Sequence, residues 1–234
     1  MKKNYQYEYP MPAVTADCVV FAIGAEGKLQ VLLMKREKGP FANMWALPGS
    51  YVRENEGLEE CALRALRTKT GVTDVYLEQL YTFGDPKRDP RMRTISIAYY
   101  ALARPRALQV EPGSLSLDAK YFNVDEVHEM PFDHRKILDA ALNRLRGKIS
   151  YEPVGMELLP EEFTIPQLRV VYEAILGRSQ DPGNFRRDIL RSGLLTEVKS
   201  KAKSTGGRPP VLYRFDKNPG KRVLKLPGRG HSGQ

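Results

Sequence analysis

Apolar residues recur at two different periods along this chain, and the switches between them mark out its elements. Between 14 and 36, two apolar runs, 14–23 and 29–36, flank Gly24-Ala25-Glu26-Gly27-Lys28, which predicts two strands joined by a turn. Segments 94–102 and 121–124 are further strand candidates. Residues 57–70 have helical spacing instead, with Leu58, Ala62, Leu63 and Leu66 on one face and Gly71 at the end. The same spacing returns in Ile137, Leu138, Ala141, Leu142 and Leu145, with Asp133 as N-cap and Gly147 as stop. Strands around a central helix, followed by a closing helix, predict an α/β domain over residues 1–148.

Pro153, Gly155 and Pro160 punctuate residues 149–162, which read as a linker. Thr164-Ile165-Pro166-Gln167 then has the form of a capping box, and Ile165, Leu168, Val171, Tyr172, Ile175 and Leu176 form an apolar stripe that stops at Gly177. After a turn-rich piece at 179–183, residues 184–193 predict a helix with Phe185, Ile189 and Leu190 facing inward and arginines outward. Strand candidates 194–198 and 210–215 flank the basic, glycine-containing stretch 199–209. This order of helix, turn, basic helix and hairpin predicts a small α+β winged helix-turn-helix over residues 163–216, followed by a basic tail at 217–234.

Composition adds little until it is mapped onto this layout. The chain has 234 residues, 41% hydrophobic and 28% charged, which is ordinary for a soluble protein. No apolar run approaches the roughly 20 residues a bilayer helix needs, and the first residues lack a signal-peptide core, so a cytoplasmic protein with no membrane partner is expected. Cys18 and Cys61 have no metal or disulfide spacing, and His128, His134 and His231 are scattered, so no metal and no cofactor are expected. The net charge of +9 is segregated: from Asn184 onward thirteen basic residues face three acidic ones, and everything before sums to about −1. A polyanion would therefore meet the second domain. Asn184, Arg186, Arg187 and Arg191 on the helix, with Lys199, Lys201, Lys203 and Arg208 in the wing, are the candidate contacts to double-stranded DNA.

The stretch from Leu47 to Val72 resembles a Nudix box, whose pattern sets a glycine and a glutamate before Arg-Glu-aliphatic-any-Glu-Glu-any-Gly-aliphatic. Aligned on Arg64, Leu66, Gly71 and Val72, the first glutamate falls on Glu56, the three later ones on Ala65, Thr68 and Lys69, and the glycine on Ser50. A helix brings positions 65, 68 and 69 to one face, where carboxylates would converge on magnesium. Alanine and lysine cannot ligate that ion, and an ammonium about 4 Å from it is repelled by several kcal/mol at an effective dielectric near 20. The same ammonium attracts phosphate oxygens, so binding without cleavage is expected and no catalytic residue is assigned. The alternative is a hydrolase drawing on Glu54, Glu56, Glu59 and Glu60.

Taken with Trp45-Ala46-Leu47-Pro48-Gly49, the run Phe83 through Arg91, Phe163 through Leu168, and Asn184-Phe185-Arg186-Arg187, the chain is similar over about residues 8–216 to the Nudix-related transcriptional regulators. The resemblance implies a homodimeric repressor of bacterial metabolic genes, commonly those of NAD biosynthesis, released from operator DNA by ADP-ribose or a related nucleotide. Some relatives respond instead to a pentose such as arabinose. Arg36, Arg64, Lys69, Arg88, Arg91 and Arg93 are candidate ligand cations, Trp45 and Phe83 candidate stacking partners, and Glu56 a partner for Arg64.

Overall fold

The computed structural model describes residues 8–9, 11–104, 118–198 and 210–216. Its central strand is β1 (Ala13–Ile23), which runs parallel to β6 (Thr94–Ala103) and antiparallel to β2 (Leu29–Lys35). Near its start β1 also pairs with β4 (Gly49–Tyr51), while β2 takes β3 (Trp45–Ala46) and β7 (Asp118–Asn123), and β5 (Val75–Phe83) closes the far edge beside β6. No strand is expected above for β3, β4 or β5. The first two are too short to show a period.

Both faces of β1 are covered, which explains its continuous apolar run from Cys18 to Ile23. Ala16, Cys18, Val20 and Ala22 meet Cys61, Ala62 and Leu66 of helix α1 (Leu58–Thr70), whereas Val19 and Phe21 join the core formed with Ile137, Leu138 and Leu145 of helix α2 (His134–Lys148). Strand β6 divides the same way, with Tyr99 and Ala101 toward α1 and Ala98, Tyr100 and Leu102 toward α2. Leu58 and Leu63, expected to face the core, are exposed on the outer side of α1. Cys61 and Ala65 fill the inward positions because the small cysteine and alanine let the helix approach the sheet closely.

Helix α1 starts where the Glu60 carboxylate accepts from the Gly57 backbone N–H, and it ends at Gly71, whose φ of 73° closes a left-handed cap. Helix α2 departs from expectation at both ends. Asp133 holds the N-cap position but gives its carboxylate to Arg88 rather than to the helix, and Gly147 does not stop the helix, since Ile149 is fully buried and its N–H bonds the Leu145 carbonyl.

Residues 149–162 are not a detached linker. Val154–Leu158 form a 3-10 turn, and Ile149, Val154, Leu158 and Leu159 are buried in the same core as α2. Gly155 packs directly on α3: a Cβ there would lie 3.4 Å from both Tyr172 and Val171, in ordinary contact. The core continues into helix α3 (Ile165–Leu176), helix α4 (Pro182–Arg191) and the antiparallel pair β8 (Leu195–Val198) and β9 (Leu212–Phe215), with Phe163 bridging to Tyr213. Thr164 and Gln167 cap α3 reciprocally as their spacing predicts, and Gly177 ends it with a φ of 66°. Helix α4 starts earlier than expected, at Pro182, because the Asp181 carboxylate accepts from the Asn184 N–H. No helix among the described residues is long and apolar enough to cross a membrane.

Replacing Thr164 by Ala removes the α3 cap and is expected to lower stability by about 1 kcal/mol. A shift of the urea midpoint at unchanged slope checks it; an unchanged midpoint would show that water caps the helix equally well.

Candidate ligand cleft and nucleic-acid interface

A cleft of about 320 Å³ opens where β1, the turn after β3, the last turn of α1 and the residues leading into α2 converge. Four cations line it, Arg36, Lys69, Arg88 and Arg91, against the carboxylates of Asp17 and Asp89. Such an excess of positive charge favours an anion. Close packing forms the wall beside β1: a Cβ on Gly49 would come within 1.9 Å of Asp17 Oδ1, so glycine is required there.

The four cations are held differently. Arg88 is buried and donates to Asp133 through Nε (2.9 Å) and a terminal nitrogen (2.7 Å), the latter also lying 3.4 Å from Asp17. Burial alone would lower its pKa, but the two carboxylates hold it above the usual arginine value. Asp89 clamps Arg91 with two bonds of 3.0 and 2.7 Å. Arg36 donates to the Pro40 carbonyl at 3.1 Å and stacks 4.8 Å from the Phe132 ring, which Arg91 also approaches at 5.5 Å. Burial, and then the neighbouring Arg91, depress the Arg36 pKa. Lys69 donates to the Gly49 carbonyl, and its pKa is lowered by burial, with Asp17 opposing. Two of the cations therefore carry a charge that their surroundings disfavour, and an anionic guest would relieve both.

The floor supplies neutral polar groups. The Leu47 N–H donates to His134 Nδ1 at 3.1 Å, which places the imidazole proton on Nε2, and burial depresses the His134 pKa. Thr15 Oγ1 is buried without a hydrogen-bond partner among the described residues. Among those residues, the three non-glycine positions with positive φ are Phe41 (62°), Asn43 (66°) and Phe132 (57°); Phe132 lines the cleft, the Phe41 ring meets it edge-on at 4.9 Å, and the Asn43 N–H donates to the carbonyl of the lining residue Arg36 at 2.9 Å. Each costs about 1–2 kcal/mol, a strain that clusters where geometry serves a ligand.

In the second domain, Phe185 and Ile189 anchor α4 while Asn184, Arg186, Arg187 and Arg191 are exposed. Leu190, expected to face inward, is 39% exposed among these arginines. At 100° per residue it falls between Arg186 and Arg187 on the outer surface. Lys199, Lys201, Lys203 and Arg208 lie outside the described residues, as does the tail at 217–234.

Comparison with known proteins matches this two-part layout. The NUDIX domain family matches residues 11–141, and the NrtR DNA-binding winged helix domain matches residues 155–215. The chain is 36% identical over 212 residues, covering 89% of this chain and 84% of the relative, to the ADPR responsive transcriptional repressor NtrR of Acinetobacter baylyi. It belongs to the NrtR-like, Nudix-related regulators. Its fold is similar to the crystal structure of Shewanella oneidensis NrtR complexed with a 27mer DNA, at a TM-score of 0.75 and 32% identity over 90% of this chain and 97% of the other. The NUDIX domain of Shewanella oneidensis NrtR complexed with ADP ribose is similar at a TM-score of 0.56 and 33% identity, over 61% and 94% of the two chains.

Against this family frame the expected ligand residues separate into two groups. Arg36, Lys69, Arg88 and Arg91 converge on the cleft, although they span 55 positions of sequence. Glu56 and Arg64 stand behind its wall as a bidentate pair of 2.5 and 2.8 Å, with Arg64 also donating to Ser50 Oγ and the Tyr51 carbonyl. Trp45 packs edge-on against Phe122 with Lys120 over its ring, Phe83 packs against Tyr81, and Arg93 donates to the Gly84 carbonyl, so none of these three lines the cleft. Asp17, Asp89, Phe132 and His134 line it unforeseen. A lone carboxylate inside the apolar β1 run was the one available sign of Asp17.

The Glu56 and Arg64 pair gives a pH prediction. The bond from Arg64 draws the Glu56 pKa down to about 2, below the roughly 4.3 of an unfolded glutamate. Its contribution is therefore complete above the unfolded value and is lost as pH falls from about 5 through 2. Glu56→Gln should flatten the acid limb of a denaturation-versus-pH curve in that window. An unaltered limb would place the titrating group elsewhere.

Proposed function

We propose that this chain is an ADP-ribose-responsive transcriptional repressor that binds its effector without hydrolysing it and binds operator DNA through α4 and the following wing. The observation that carries the reading is the placement of Lys69 in the cleft, at the position where a hydrolase carries a metal-binding glutamate. In this reading Lys69, Arg36 and Arg91 neutralise the diphosphate, and Asp17 with His134 Nε2 bonds the sugar hydroxyls. Support comes from the repressor relative named as ADPR responsive and from the two Shewanella oneidensis NrtR complexes, one with DNA and one with ADP ribose.

The residues do not fit a magnesium centre. Ala65 is fully buried, the Thr68 hydroxyl bonds the Arg64 carbonyl, and Lys69 contributes a positive charge. Of the carboxylates that would serve a hydrolase, Glu56 is engaged by Arg64 and Glu60 caps α1. No group of three metal-ligating side chains forms among the described residues.

A homodimer completes the proposal, because two α4 helices held at a fixed separation would read the two halves of a palindromic site. Operator binding should weaken linearly on a log–log plot against salt as counterions are released.

Lys69→Ala is expected to weaken ADP-ribose binding by roughly 10- to 100-fold, as loss of a charge-assisted bond does, in calorimetry run with EDTA. Equal affinity would remove Lys69 from the site. Incubation of the native protein with ADP-ribose and Mg²⁺ should release no AMP; turnover abolished by Glu56→Gln would establish the hydrolase instead. Arg187→Ala should cost operator affinity about tenfold, or more if the contact is a bidentate base contact, in an anisotropy titration. An unchanged titration would exclude that side chain from the DNA surface.

A further inference from the structure

Helix α2 is anchored at one end in the cleft and at the other against the winged helix. At its start the Asp133 carboxylate is held by the cleft cation Arg88, and His134 accepts from Leu47 in the turn that precedes β4. Phe132, immediately before, carries a positive φ of 57° and meets both Arg36 and Arg91. About 18 Å further along, at the helical rise per residue, Arg146 Nε donates at 2.9 Å to the carbonyl of Ile175 in the last turn of α3. That carbonyl is among those a helix leaves unpaired at its C-terminus, where a guanidinium is also favoured by the helix dipole. A Cβ on the capping residue Gly177 would sit 3.5 Å from the same guanidinium, so Arg146 packs across the end of α3.

We propose that α2 is the rigid element through which the cleft reports to the winged helix, and that Arg146 is the positioning residue at its output end. The inference rests on the ADP-ribose reading. An anion entering the cleft competes with Asp133 for Arg88 and with the Phe132 ring for Arg36 and Arg91, so the first turn of α2 is released from the geometry described above. A helix packed over its whole length on a close-packed core moves as a body, and the displacement arrives at the Arg146 bond and the end of α3. Arg146 itself touches neither the cleft lining nor the outer face of α4. Its removal therefore separates communication from binding.

The test is a coupling measurement on the full chain. The operator duplex is titrated by anisotropy with and without saturating ADP-ribose, for the native protein, Arg146→Ala and Arg146→Lys, while amide exchange is followed over 132–137 and 173–177. In the native protein ADP-ribose should weaken operator binding at least tenfold and change exchange in both segments. Arg146→Ala should keep each separate affinity within threefold, reduce the effector-induced weakening below threefold, and retain the exchange change at 132–137 while losing it at 173–177. Arg146→Lys, which keeps a donor, should fall between the two and carries the test if the alanine variant unfolds. By linkage, operator should weaken ADP-ribose binding by the same factor in each protein. Full release retained in both variants, or a native exchange change that never reaches 173–177, would overturn the role of α2. A native protein that does not bind ADP-ribose, or binds it with no effect on the operator, would overturn the proposed function and this inference with it.

Discussion

Arg88 is the interaction on which the first domain is organised. Its guanidinium is nearly inaccessible, and an unpaired charge at that depth would cost several kcal/mol, so the chain must bring carboxylates to it. Asp17 arrives from β1 and Asp133 from the head of α2, with Ser96 of β6 donating to Asp17 at 2.5 Å. One buried cation thus ties two central strands to the helix that closes the domain. The cleft is the cavity left above this junction, and its polarity follows from the charges the junction needs.

That origin explains why the cleft holds both signs of charge yet retains a positive excess. Asp17 pairs with Arg88 and Asp89 with Arg91, while Arg36 and Lys69 add two further cations, Arg36 donating to the Pro40 carbonyl and Lys69 to that of Gly49. The cations outnumber the carboxylates along the lining, a balance that favours an anion. The left-handed backbone of Phe132 in the lining, and of Phe41 packed against it, is held at an energetic cost.

The periodicities made much of the fold legible. Strands β1, β2, β6 and β7, the four helices and the last two strands stand close to where alternation and capping residues put them, because those signals act within a few residues of chain. Other positions depart from them. Leu58, Leu63 and Leu190 are apolar but exposed, the stretch from 149 to 162 is punctuated by prolines but packed, and Gly147 lies within a helix because Ile149 beyond it finds a buried seat. At Gly147 and along 149–162, burial against distant residues outweighed the local preference.

The amino-acid order by itself determined the segregation of charge toward the second domain, the run of Ala65, Thr68 and Lys69 along one helix, and the helix-turn-helix order that follows. These are properties of adjacent residues and survive without coordinates. Only the tertiary structure decided that Arg36, Lys69, Arg88 and Arg91 share one cavity while Trp45, Phe83 and Arg93 do not, and that Asp17 and His134 complete it. Such convergence depends on pairings between residues 71 and 87 positions apart, Arg88 with Asp17 and Leu47 with His134, which strand order and helix placement create and no local period encodes.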